Sequence, residues 1–267
     1  MNTIHAFGDS YTEGQPYECT YPPFIQWKEL RGGNLPPCWV DILGEKLGME
    51  TINHGVGGNS NVQIFQDVCE HAHNFKKGDI VFVNWTYRDR FRWASLIKYD
   101  DGRWAHIDKG GNPLYSWRKL SSHNGTPEDF NYISKSTKEE LVINRSTNLY
   151  IDEIYNYENI IEQYAEAKGF EIYFWSTDND IIYSLPPEKY NQKKYILHNV
   201  ITPRQYVKAY HGGDFMSMIM FKGGETIYME TNHVVEDDTH LGEKGHRVQA
   251  ELFYEYILKY ENINTKT

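Results

Sequence analysis

Cysteine is scarce in this chain: Cys19, Cys38 and Cys69 are the only three among 267 residues. An odd, scattered set argues against a disulfide framework and a zinc site, and fits a reducing compartment. Long apolar runs are missing too, and nothing approaches the roughly 20 residues of a membrane-spanning helix. No basic segment followed by an apolar one opens the chain, so no signal peptide is expected and the expected location is cytoplasmic. Release without a leader, for instance as part of a phage particle, stays open. Positive charge is in deficit, with 27 Lys and Arg against 37 Asp and Glu and a formal net charge of −10. That balance disfavours non-specific binding to nucleic acid or to an anionic membrane. Internal repeats and low-complexity tracts are also absent.

What is present is an ordinary globular composition, 40% hydrophobic and 24% charged. It fits one domain carrying sizeable insertions. Aromatic residues are plentiful at 15%, with 21 tyrosines and seven tryptophans. They either pack a core and line long loops or, in part, form flat platforms for sugar rings.

The segment Thr3–Phe7 reads as a strand that begins almost at the first residue, and Gly8-Asp9-Ser10 stops it. The five prolines between Tyr11 and Pro37 predict a loop. Trp39, Val40, Leu43 and Leu47 recur at helical spacing before Gly48, and Met49–His54 reads as a second strand. A glycine-rich turn, Gly55-Val-Gly-Gly-Asn-Ser-Asn61, leads to a helix whose stripe is Val62, Phe65, Val68, Cys69, Ala72 and Phe75. Ile80–Trp85 is a near-continuous apolar run, as in a strand buried on both faces.

Residues 86–148 break this rhythm and read as an insertion or lid, polar and aromatic rather than aliphatic. A helix through Ile154, Tyr157, Ile161, Tyr164 and Ala165 and a fourth strand, Glu171–Ser176, follow. A second irregular region, 177–236, holds Tyr195–Ile201 as a candidate strand and Phe215–Phe221 as a short buried segment, and a fifth strand has no clear place. The last helix is expected over Glu243–Tyr260, with the tail from Glu261 frayed. Strands alternating with helices predict an α/β fold with a parallel sheet flanked by helices. The two irregular regions read as insertions on a single domain spanning 1–267.

Two stretches carry chemistry. Gly8-Asp9-Ser10 places a serine at the carboxyl end of a first strand, where open α/β sheets bind ligands. The turn also brings backbone N–H groups close to the hydroxyl, as a nucleophile and its oxyanion require. Alone, the tripeptide also reads as an ordinary turn. Near the other end, Asp237 and His240 lie three residues apart, a spacing that lets the carboxylate reach one ring nitrogen. The other nitrogen is then left to take a proton from a serine hydroxyl. Alone, this pair also reads as a helix cap and a surface histidine.

Together with Gly55-Val-Gly-Gly-Asn59, these blocks resemble those of the SGNH hydrolases, the GDSL-type esterases and lipases. The last block, Asp237-x-x-His240-Leu-Gly-x-x-Gly-His246, is the most specific. The resemblance implies a three-layer α/β/α, flavodoxin-like fold. It also implies Ser10 as nucleophile, His240 as general base and Asp237 as the acceptor that orients it. The backbone N–H groups of Ser10 and Gly58 would be oxyanion donors, and Asp9 would stabilise the turn. One block departs: where the family has Gly-x-Asn-Asp after the third strand, this chain reads Asn84-Trp85-Thr86-Tyr87. Asn84 or Thr86 would have to supply the third donor, whose loss costs about 10²–10³ in rate.

Substrate contacts are expected around these blocks from Asp9, Tyr11, Asn59, Trp85, Arg88 and Arg90. The two arginines could bind an acidic group of a substrate, but solvated loop charges are the favoured reading. His71 and His73 sit at i, i+2 on a helix and point to different faces, a poor metal pair. Asp178-Asn-Asp180 suits a cap or turn as well as a cation, and the glycine-rich turn lacks a dinucleotide or phosphate-loop spacing. The expected activity is therefore a serine esterase needing no metal or organic cofactor, acting on a small ester or an acylated glycan. The alternatives are acyl transfer by the same triad and a non-catalytic carbohydrate-binding or structural protein. Oligomeric state is not legible.

Overall fold

The computed structural model describes residues 2–14, 37–86, 91–96, 115–120, 147–177, 241 and 243–264. The segments expected at Tyr195–Ile201 and Phe215–Phe221, and the Asp178–Asp180 run, lie outside the described residues. In chain order the described elements are β1 (Thr3–Gly8), α1 (Ser10–Glu13), α2 (Trp39–Leu47), β2 (Glu50–Gly55) and α3 (Asn61–His71). After them come β3 (Ile80–Trp85), β4 (Phe91–Leu96), β5 (Tyr115–Leu120), α4 (Thr147–Lys168), β6 (Glu171–Ser176) and α5 (Glu243–Asn264).

Four strands form a parallel sheet in the order β2-β1-β3-β6. Period-two alternation in the strands sorts their side chains onto two faces. Ile4, Ala6, Phe82, Tyr173 and Trp175 face a core completed by Trp39, Val40 and Leu43 of α2 and Phe253, Tyr256 and Ile257 of α5. Phe7, Val81, Val83, Trp85, Ile172 and Phe174 face the other core, completed by Ile64 and Val68 of α3 and Ile154, Ile161 and Ala165 of α4. Helices thus cover both faces of the sheet, giving the expected α/β/α layering.

Aromatic contacts dominate the first core. Phe82 stacks on Phe253 at 5.3 Å and meets Trp39 edge-on at 5.5 Å, and Trp39 meets Phe253 at 4.9 Å. Each such ring, fully buried, stabilises the fold by about 1.5–3 kcal/mol, so this cluster anchors α2 and α5 to the sheet together. A Lys46–Glu251 ion pair at 2.5 Å lies at the exposed edge of the same helix pair and adds little.

Several boundaries differ from the sequence reading. A short helix, α1, begins at Ser10 where only a loop was expected, because Asp9 caps its start and Gly14, at φ 86°, ends it. The stripe ending at Phe75 does not stay helical: α3 stops at His71, a 3₁₀ turn covers Ala72–Asn74, and Phe75 is extended. α4 begins at Thr147, earlier than its apolar stripe suggests, and α5 continues to Asn264, into the tail expected to fray. Inside the expected insertion, β4 and β5 pair antiparallel from Phe91↔Leu120 to Leu96↔Tyr115.

The direction of the chain fixes where a ligand crevice lies. From β1 the chain goes to β2 on one side, then crosses to β3 on the other. The carboxyl ends of β1 and β3 are therefore the topological switch point, where flavodoxin-like sheets bind ligands. Gly8-Asp9-Ser10 and Asn84-Trp85-Thr86 occupy those two ends.

Candidate active site

Asp9 is the centre of the switch point. It is fully buried, and its carboxylate caps α1 by accepting the Tyr11 N–H at 3.0 Å. The same oxygen accepts Asn84 Nδ2 at 2.9 Å, and the other accepts the Thr86 hydroxyl at 2.5 Å. One carboxylate therefore ties β1, α1 and the end of β3 together. The role expected for Asp9 as stabiliser of the turn agrees with this geometry, and its burial leaves it no exposed surface for a substrate.

Asn84 and Thr86 differ from expectation. Both were candidates for a third oxyanion donor, yet the Thr86 hydroxyl proton and an Asn84 amide proton are given to Asp9. The physical reason is burial: both residues are 0% exposed, and a buried carboxylate demands donors. Asn61 then holds the Thr86 backbone from both sides, accepting its N–H at 2.7 Å and donating to its carbonyl at 2.9 Å. Tyr150 donates to the same carbonyl at 3.0 Å and also accepts from Asn61.

The turn carrying Ser10 is clamped from outside. Trp39 Nε1 donates to the Tyr11 carbonyl at 3.1 Å, and Asn53 Nδ2 donates to the Thr12 carbonyl at 2.7 Å. Gly8 is required by close approach, since a Cβ there would lie 2.1 Å from Thr12 Oγ1 and 2.8 Å from Asn84 Cβ. Within this environment the Ser10 hydroxyl, like Thr12 Oγ1 and Asn84 Oδ1, is left unmatched among the described residues. Ser10 is 2% exposed.

The glycine-rich turn after β2 shows the same contrast. Val56 N–H donates to the Gly8 carbonyl at 3.1 Å, Gly57 N–H to Glu13 Oε2 at 2.5 Å, and Asn59 N–H to the Val56 carbonyl at 3.1 Å. Gly58 adopts φ +72°, the left-handed region suited to glycine at the third position of such a turn. Among the described residues nothing accepts its N–H, and nothing accepts the N–H of Ser10 at the first position of α1.

Other residues expected at the site serve the fold. Tyr11 is 3% exposed and belongs to the same core cluster as Trp39. Asn59 is buried and donates to Asp67 at 2.9 Å. Trp85 is fully buried, donates its indole N–H to Glu158 at 2.9 Å and stacks on Phe174 at 6.1 Å. None of these three side chains is exposed, and each is engaged within the fold. Arg88, Arg90, Asp237 and His240 lie outside the described residues. Leu241, next in sequence to His240, is 1% exposed and packs in the cluster that also contains Tyr11.

The Cys38 thiol is no competing nucleophile. It is buried and donates to Asp41 at 3.3 Å, and burial first, then the Asp41 charge, pushes its pKa up to about 11. Among the described residues no group of three or more His, Cys, Asp or Glu is placed to hold a metal ion. Among them also, no helix is long and apolar enough to cross a membrane.

A second titratable cluster lies away from Ser10. His54 stacks on Phe7 at 4.3 Å, its Nε2 is 3.3 Å from His5 Nδ1, and its ring lies 4.2 Å from that of His71. Burial first, then the neighbouring His71 and His5, lowers the His54 pKa to about 4. Burial likewise lowers that of His5, partly offset by Asp79 at 3.8 Å. Both side chains are neutral in the fold while the unfolded chain takes up protons below about pH 6.5. The stability that these histidines contribute is therefore present above pH 6.5 and lost as the pH falls toward 4. Urea midpoints should drop between pH 7 and pH 5, and His54→Phe should flatten that slope; an unchanged slope would contradict the assignment.

No family model matches the chain, and no curated protein does. Among solved structures it is similar to a protein assigned to the G-D-S-L lipolytic family from Desulfitobacterium hafniense DCB-2. The identity is 12%, the TM-score 0.39, and 96% of this chain and 99% of that one are covered. It is also similar to a member of the lipolytic G-D-S-L family from Veillonella parvula DSM 2008. There the identity is 13%, the TM-score 0.39, and coverage is 96% of this chain and 97% of that one. At these values the likeness adds nothing to what the residues themselves say about activity.

Proposed function

We propose that this chain is a serine ester hydrolase of the SGNH type. Ser10 Oγ attacks the ester carbonyl, His240 takes the hydroxyl proton and later gives it to the leaving alcohol, and Asp237 orients the imidazole. The oxyanion is held by the N–H groups of Ser10 and Gly58. Water, activated by the same histidine, then releases the acyl group and restores Ser10.

One observation carries this reading. At the sheet's switch point Ser10 Oγ, Ser10 N–H and Gly58 N–H, the three groups this chemistry uses, have no partner among the described residues, and Thr12 Oγ1 and Asn84 Oδ1 beside them are likewise unmatched. A buried group left unmatched costs about 1–3 kcal/mol, a cost more readily accepted where a ligand supplies the missing partner. The burial of Leu241 in the cluster that holds Tyr11 supports the return of the Asp237–His240 block to this end of the chain. The polar, aromatic character of residues 86–148 favours an acylated glycan over a long lipid chain as substrate.

The test is acyl release. The wild-type protein should hydrolyse an aryl acetate and free acetate from an O-acetylated glycan, and His240→Ala should do neither. Wild-type protein that releases nothing from any short-chain ester sinks the reading. A second reading, a binding module that no longer turns over, is favoured by the pairing of Asn84 and Thr86 with Asp9, which commits the Thr86 hydroxyl hydrogen and one Asn84 amide hydrogen to that carboxylate. Product analysis with acceptor alcohols separates hydrolysis from acyl transfer.

A further inference from the structure

We infer that Glu13 is a positioning residue for the oxyanion hole, holding the Gly57–Gly58 turn so that the Gly58 N–H stays directed at the reacting carbonyl. The inference rests on the esterase reading of Ser10 and adds to it a residue on the nucleophile's own helix. Two adjacent glycines form the most pliable backbone in the chain's chemistry-bearing turns. Left alone, the peptide joining them can rotate at little steric cost, carrying the Gly58 N–H away from its target.

The hydrogen bonds seen on that turn among the described residues differ in kind. Val56 N–H reaches back to Gly8, and Asn59 N–H closes the turn onto Val56. Both are backbone bonds that lie outside the glycine pair. Gly57 N–H, on the peptide that leads into the glycine pair, donates at 2.5 Å to Glu13 Oε2, a side-chain carboxylate that follows Ser10 by three residues. A charge-assisted bond of this kind is about twice as strong as a neutral one. It also takes the Gly57 N–H out of play, so that Gly58 is the amide left to meet an oxyanion.

Glu13 thereby ties the two halves of the hole, Ser10 N–H and Gly58 N–H, to one short helix. Losing an oxyanion donor outright lowers kcat by about 10²–10³; loosening one should lower it less, by about 10- to 100-fold. The loss belongs in kcat, since the oxyanion exists only in the transition state and its tetrahedral neighbours.

The experiment compares wild type, Glu13→Ala and Glu13→Gln on an aryl acetate, alongside amide hydrogen exchange at Gly57. Glu13→Ala should lower kcat by about 10- to 100-fold with KM little changed, and Gly57 should exchange markedly faster while the amides of β1 do not. Glu13→Gln keeps an acceptor oxygen and should recover most of both. Wild-type kcat in Glu13→Ala, or a loss confined to KM, overturns the inference, as does unchanged exchange at Gly57. Wild-type protein without esterase activity, combined with faster Gly57 exchange in Glu13→Ala, overturns the esterase reading while upholding the hold of Glu13 on the turn.

Discussion

Ser10→Ala should abolish ester hydrolysis while leaving the fold intact. In a serine–histidine unit the loss on removing the serine is on the order of 10⁶ in kcat, and removing the histidine as well adds little. The double variant Ser10→Ala/His240→Ala should therefore be no slower than either single one. The fold should not suffer, because the Ser10 hydroxyl has no partner among the described residues to lose. Deleting a buried, unmatched hydroxyl removes a desolvation cost, so the alanine variant should be as stable as wild type or slightly more stable. Steady-state rates and urea midpoints on the same preparations check both halves. Wild-type rates in Ser10→Ala would end the nucleophile assignment, and a large loss of stability would show that the hydroxyl is structural.

The opposite balance is expected one residue earlier. Asp9→Ala should be severely destabilising, because it strands three donors: Tyr11 N–H, Asn84 Nδ2 and the Thr86 hydroxyl. Each buried donor left unmatched costs about 1–3 kcal/mol, and the Tyr11 N–H among them is the α1 cap itself. A total of about 3–5 kcal/mol allows for partial relaxation. Asp9→Asn keeps the shape but turns an N–H toward a donor, and should fall between the two. Denaturant unfolding with unchanged slope measures the effect, and a loss below about 1 kcal/mol for Asp9→Ala would remove Asp9 from the centre of the network. Ser10 and Asp9 are adjacent in sequence, so the contrast separates a functional residue from a structural one at a single turn.

Much of the fold was legible in the sequence because β1, β3 and β6 of the parallel sheet are buried on both faces. Val81, Phe82 and Val83 need no partner to reveal a strand, and the alternation of Ile172, Tyr173, Phe174 and Trp175 assigns each residue to a core. Gly48, left-handed at φ 64°, marked the end of α2 as glycine does. Less was legible where tertiary contacts decide. The start of α4 at Thr147 lies ahead of its apolar stripe, and the β4–β5 pair is stated by no strong alternation or tight turn signal. α1 could have been found from Asp9 and Gly14, a cap and a stop around a single turn of helix.

The site was legible in part for a similar reason. Glycine and serine at a strand end announce a turn, and turns at the switch point of an α/β sheet meet ligands. What no spacing announces is which polar side chain turns inward. Asn84 and Thr86 read as donors in search of an oxyanion, but their partner lies in β1–α1, some 75 residues away in sequence. The link from Glu13 to Gly57 spans 44 residues and was equally hidden. Trp85 read as a ring for substrate, yet its indole N–H meets a buried glutamate.

The most direct measurement is covalent labelling of the intact protein with a fluorophosphonate, followed by mapping of the modified peptide. The account predicts one adduct per chain, on Ser10, formed with loss of fluoride and absent from His240→Ala. Wild-type protein that stays unlabelled under conditions that label known serine hydrolases, or an adduct on any other residue, would contradict it.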